Sequence, residues 1–200
     1  MIDFLFVVAY FGLVMLVAIW GKQTKGMTSE EYFLSSRSLR WHSIAFSTIA
    51  TNIQGYQFLG MMGSAYLYGL AQASIEINAI QGILLASFVF IPYYMKDKII
   101  TITQFIKKRL GKRVALLYSL ANISLFSTIT IGAALFWGAY AADMVFGEYL
   151  SFLHPNRITR ITVLIIILGL FSAIYTYFGG LSSVVRTDIV QFLVLLSGGL

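Results

Sequence analysis

A chain of 200 residues that is 58% hydrophobic, 11% charged and has a mean hydropathy of +0.82 is excluded from the soluble globular class, in which about a quarter of residues are charged. Its net charge of +6 comes from basic residues in loops between apolar spans, which points to orientation in a lipid bilayer and away from nucleic acid. Without cysteine the chain has no disulfide and no thiolate metal site, and two scattered histidines make no metal cluster.

The first apolar segment, Ile2–Trp20, is about as long as the ~20 residues a bilayer requires. It has Asp3 where a signal peptide carries basic residues and no small-residue cleavage pattern, so it reads as a retained transmembrane helix. Further apolar segments follow at Ile44–Leu70, Ser74–Met95, Val114–Phe146 and Ile161–Phe178, and a last begins near Thr187. Its helix would rise only ~21 Å by Leu200, short of the ~30 Å hydrocarbon core, so the chain is expected to be a truncated piece of one larger transmembrane domain.

The loops set the orientation. Lys22, Lys25, Arg37 and Arg40 lie between the first two spans. Lys96, Lys98, Lys107, Lys108, Arg109, Lys112 and Arg113 lie between the third and fourth, and Arg186 between the last two. The alternate loops hold only Arg157 and Arg160. The positive-inside rule then places the N-terminus outside and the basic loop 96–113 in the cytoplasm. Within that loop Thr101–Leu110 predicts a short interfacial helix, with Ile102, Phe105, Ile106 and Leu110 on one face beside Lys107, Lys108 and Arg109.

The second span, FSTIATNIQGYQFLGMMGSAYLYGL, carries Asn52, Gln54 and Gln57 among Gly55, Gly60 and Gly63. Unpaired polar groups in hydrocarbon cost several kcal/mol, so these residues predict a helix broken near Asn52–Gly55. A break exposes backbone carbonyls, hard ligands suited to a cation such as sodium. The residues alone leave an alternative open, in which the glycines permit close helix packing and the amides bond across it. Glu76, with Asn78 two residues on, opens the third span; it is either a functional intramembrane acid or an interfacial side chain reaching water. The fourth span's Ser119, Asn122, Ser124, Ser127, Thr128 and Thr130 read as packing groups that bond to their own helix. Gly179–Gly180 ends the fifth span in a tight turn, and Asp188, at the start of the next, suits a helix cap. No Walker A motif, HExxH or nucleophile elbow occurs, so the chain is not expected to be an enzyme.

EEYFLSSRSLRW, ATNIQGYQFLGMMGSAYLYGLA, the Glu76 segment, ITITQFIKKRLGKR and IYTYFGGLSSVVRTDIVQ occur in one collinear order. In this the chain resembles the sodium/solute symporter family, and within it the sodium/galactose and sodium/glucose branch. The resemblance implies an all-α integral membrane protein with the LeuT-type inverted-repeat fold. Residues 2–20 would be the additional N-terminal helix and 44–200 most of the first five-helix repeat. It implies sodium binding by the carbonyls of Ala50 and Ile53, at a helix break marked by Asn52 and Gly55. Gln57 and Glu76 match substrate-binding residues, Met61 a gating residue, and Asp188 an acid on the sodium path to the cytoplasm. Ala79 and Ile75 stand where that branch has a serine and an aromatic residue, which leaves the solute a sugar, polyol or sugar acid. The implied partners are sodium as coupling ion, such a solute, the lipid bilayer and the missing C-terminal part, with no other cofactor and no nucleic acid. The implied setting is a bacterial inner membrane. A sensor, with this region fused to a signalling domain beyond residue 200, is the alternative.

Overall fold

The computed structural model describes residues 2–20, 28–35 and 38–198; Lys22, Lys25 and Arg37 of the first basic loop lie outside them. The described residues form helices and contain no strand. Among the described residues three helical runs are long and apolar enough to cross a membrane: Ala73–Lys96, Lys112–Phe146 and Arg157–Gly198. Few side chains are buried, while Leu5, Phe6, Phe88, Leu117 and Ile129 stand well exposed on helix surfaces. Such surfaces are stable where the surrounding medium is lipid.

The chain divides into two compact units. The first comprises Met1–Gly55 and Leu135–Leu200. Its helices are α1 (Ile2–Trp20), α2 (Ser29–Leu34) and α3 (Trp41–Asn52), most of α9 (Ile131–Phe146), and α10 (Arg157–Gly198). α1 occupies the first predicted span. α2 starts on a capping box: the Thr28 hydroxyl accepts from the Glu31 N–H, and the Glu31 carboxylate accepts from the Thr28 N–H. α1 packs on α10 through small residues. Val14 and Ala18 of α1 and Ser183 and Thr187 of α10 are buried, and the Ser183 hydroxyl donates to the Ala18 carbonyl at 2.6 Å. A second cluster gathers Ala139, Leu150 and Leu164, with Phe4 and Phe146 at its edge.

α10 departs from the sequence reading. The glycine pair does not open a loop lasting to Thr187. The helix stop read at the glycine pair is present, since two helices meet at a non-helical break at Gly180 (φ 57°, ψ −160°), but the second helix starts directly after it. Arg186 and Asp188 therefore lie inside a helix, and Asp188 caps nothing. The polar residues that lower the hydropathy there have partners: Ser183 bonds to Ala18, Thr187 to the Val184 carbonyl, and Arg186 to Ser182. Satisfied in this way, they are compatible with a helix in an apolar setting.

The second unit is Tyr56–Ala134. It contains α4 (Met62–Tyr68), α5 (Ala73–Leu85), α6 (Ile91–Lys96), α7 (Ile102–Leu110) and α8 (Lys112–Leu125). Three π-helical segments, Gln57–Met61, Ala86–Phe90 and Phe126–Thr130, interrupt the α-geometry. In the polar run of the fourth span, Asn122 bonds back to the Tyr118 carbonyl and Thr128 to that of Ser124. The helix expected at Thr101–Leu110 is α7, with Thr101 as its N-cap accepting from the Gln104 N–H at 3.2 Å.

Candidate functional site

α3 is polar for a membrane helix, yet most of its side chains satisfy themselves locally. Thr48 bonds to the Ile44 carbonyl, Thr51 to that of Ser47, and the Asn52 amide donates to the Thr48 carbonyl at 2.7 Å. The helix stops at Asn52. Ile53 is extended (φ −88°, ψ 108°) and its N–H makes the closing bond to the Ile49 carbonyl at 3.2 Å. Helical geometry resumes at Gly55. The carbonyls following Ile49, beginning with Ala50, are those a helix end leaves without an intrahelical donor. A Cβ on Gly55 would lie 3.3 Å from the backbone carbonyl of Trp137 on α9, so the interruption rests closely against that helix.

Ala50 and Ile53 line a cavity of about 340 Å³ together with Tyr10 of α1 and Gln191, Val194 and Leu195 of α10. Asp188 lies three residues before Gln191, hence on the same helical face, and is only 6% exposed. The Ser47 hydroxyl of α3 donates to its Oδ2. Ser47 and Ala50 likewise share a face of α3. The carboxylate and the cavity thus follow one another along the α3–α10 seam, where the stacked rings of Phe46 and Phe192 also meet, 4.8 Å apart. Among the described residues no group of three His, Asp or Glu side chains could hold a metal. The oxygens at this seam and cavity are backbone carbonyls, the Tyr10 and Ser47 hydroxyls, the Gln191 amide and the Asp188 carboxylate, hard donors of the kind cations take.

The other candidates belong to the second unit. Gln57 and Met61 are the two ends of a π-helical segment, and both are half-buried. Such segments occur often at functional positions because the extra residue re-aims the side chains around it. Glu76 is half-buried in the first turn of α5, where the helix dipole favours a carboxylate; Asn78 is exposed.

Sequence reasoning missed three participants. Ser47 and Gln191 gave no signal, because their role comes from packing between residues 141 positions apart. Asp143, a single acid inside an apolar span, did offer one. It is buried, forms an ion pair with Arg157 at 2.9 Å, and pairs also with Arg160. Arg160 further donates to the His154 carbonyl, and the Arg157 guanidinium lies 5.1 Å from the centre of the Tyr140 ring. The triad ties the start of α10 to the end of α9.

Described residues that are all helical, with several membrane-crossing runs and a helix broken beside a cavity, define an integral membrane protein. More narrowly, it belongs to the sodium:solute symporter family, whose profile matches residues 32–200. It is 33% identical over 201 residues to a sodium/glucose cotransporter of Vibrio parahaemolyticus, covering 99% of this chain and 35% of that protein. It is 34% identical over 198 residues to sodium/glucose cotransporter 2 of Rattus norvegicus, and 31% identical over 198 residues to solute carrier family 5 member 4A of Mus musculus; each match covers 98% of this chain and 28% of the relative. The chain therefore spans about a third of the length of the curated relatives it matches. No solved structure matches it significantly.

Proposed function

We propose that this chain is part of a sodium-coupled symporter of the LeuT-type inverted-repeat fold, moving a sugar-like or other small polar solute together with sodium. It would sit in a bacterial inner membrane with its N-terminus outside. The observation that carries the reading is the end of α3 opening on a cavity at Ala50 and Ile53 in a chain of this family.

In this mechanism sodium binds the carbonyls of Ala50 and Ile53, and further ligands come from the second repeat. Sodium occupancy fixes the broken helix in the arrangement that receives solute. Gln57 and Glu76 bond to solute hydroxyls, and Met61 closes the site with an apolar side chain. Rocking of one helix group against the rest then exposes the site to the cytoplasm. Asp188, next along the α3–α10 seam, draws sodium inward. Since each site requires ligands from both repeats, residues 1–200 alone are inactive.

The test is sodium-driven solute uptake by the intact transporter, corrected for the amount of protein in the membrane. A hydrogen bond to a charged group contributes ~1.5–3 kcal/mol and a neutral one ~0.5–1.5 kcal/mol. Glu76→Ala therefore raises the apparent solute constant by at least ~10-fold, and Gln57→Ala by a smaller ~2–10-fold. Sodium affinity without solute stays near the wild-type value in both. Unchanged solute affinity in both variants would sink the assignment.

A further inference from the structure

The whole net charge of the chain resides in eighteen residues. Lys96–Arg113 contains seven basic side chains and one acid, Asp97, whereas the rest of the chain balances seven basic against seven acidic residues. The fold compacts this stretch at the ends of two membrane-crossing runs. One ends at Lys96 and the other begins at Lys112, and α7 lies between them, joined to α8 through Gly111 (φ 92°). α7 packs against α8, with the Thr103 and Ser119 hydroxyls 3.4 Å apart. It also packs against the end of α6, where the Phe105 ring lies 5.3 Å from Tyr94 and 6.3 Å from Tyr93.

Two of the seven cations are engaged internally. Lys108 pairs with Asp97 at 3.4 Å. Arg109 bonds to the Tyr93 hydroxyl and lies 5.8 and 5.9 Å from the Tyr93 and Phe105 ring centres. Lys96, Lys98, Lys107, Lys112 and Arg113 are exposed and have no acidic partner among the described residues. Beside them Ile100, Ile102 and Leu110 are at least half exposed.

A basic cluster in water does not need exposed isoleucines and leucines, and a protein partner would have to complement both. A bilayer face supplies both at once: acyl chains for the apolar residues, a level where tyrosines are enriched, and phosphates for the cations. We propose that Lys96–Arg113 is a binding site for anionic phospholipid headgroups, with Lys107, Lys112 and Arg113 as the principal hydrogen-bond donors to phosphate. The internal pairs of Lys108 and Arg109 hold α7 in place so that these three remain available.

The experiment uses the intact transporter reconstituted in mixed phosphatidylcholine and phosphatidylglycerol. The relative association of spin-labelled forms of each lipid with the protein is measured. One lysine or arginine near a charged surface is worth ~1 kcal/mol, or about fivefold. The wild-type protein is expected to prefer phosphatidylglycerol by at least ~5-fold. The triple variant K107Q/K112Q/R113Q falls towards parity, and K107R/K112R/R113K, which keeps every charge, retains the preference. Absence of a preference in the wild type, or a preference that survives the glutamine substitutions, overturns the proposal. These three residues touch neither the proposed sodium site nor the solute site, so the result stands apart from the transport assignment.

Discussion

The first unit interrupts its apolar helices twice, and the two interruptions are built in opposite ways. At Gly180 the kink is filled. Gly179 and Gly180 are buried, a Cβ on Gly180 would meet the Tyr32 carbonyl oxygen at 2.8 Å, and the Tyr32 hydroxyl donates to the Thr176 carbonyl at 3.1 Å. At Ile53–Gln54 the helix end opens instead on a cavity of about 340 Å³. A backbone interruption in hydrocarbon must have its polar groups satisfied. The first is packed against a neighbouring residue, Tyr32, and the second borders the cavity lined by Ala50 and Ile53. The comparison separates a filled kink from one that borders a cavity within one chain.

The largest effect should follow from closing the wrong interruption. Gly180→Ala forces an L side chain into a positive φ, at ~1–2 kcal/mol, and demands a shift of the Tyr32 backbone, at ~1–3 kcal/mol. Thermal unfolding of the intact protein in detergent should show a loss of stability of ~2–4 kcal/mol, well above the usual ~1 kcal/mol for a point substitution. A smaller loss is expected from Tyr32→Phe, which removes only the hydroxyl: ~0.5–1.5 kcal/mol, with the sodium dependence of uptake unchanged. A Tyr32→Phe protein of normal stability but altered sodium dependence would erase the distinction drawn here.

Much of the helical layout was legible because hydrophobicity and charge report it directly. α1 coincides with the first apolar segment, and α7 forms where a basic amphipathic stretch follows a capping threonine. The amides and glycines around Asn52–Gly55 drew attention to the stretch where α3 ends, since such residues have no reason to face lipid. What stayed hidden depends on the third dimension. The helix beyond Gly180 begins earlier than hydropathy suggests, because Ser183 and Thr187 find acceptors that a sequence window cannot see. The Ser47–Asp188 bond spans 141 positions, so no local pattern announces it. Asp143 is the instructive omission. A solitary acid near the end of an apolar span, followed within a short loop by Arg157 and Arg160, is itself a sign of a buried ion pair. The π-helical segments had no recognisable signal, since QFLGM, ASFVF and FSTIT share no common pattern.

The central claim, that the end of α3 is where sodium binds, is tested most directly at Ala50. Leucine at that position adds three carbons to the wall of the cavity without touching the Gly180 kink. The measurement is the sodium dependence of solute uptake by the intact transporter at saturating solute, alongside thermal unfolding to verify the fold. Ala50→Leu should raise the half-saturating sodium concentration by at least ~10-fold, equivalent to ~1.4 kcal/mol of lost binding, with a stability change under ~1.5 kcal/mol. A stably folded Ala50→Leu protein with wild-type sodium dependence would contradict the account.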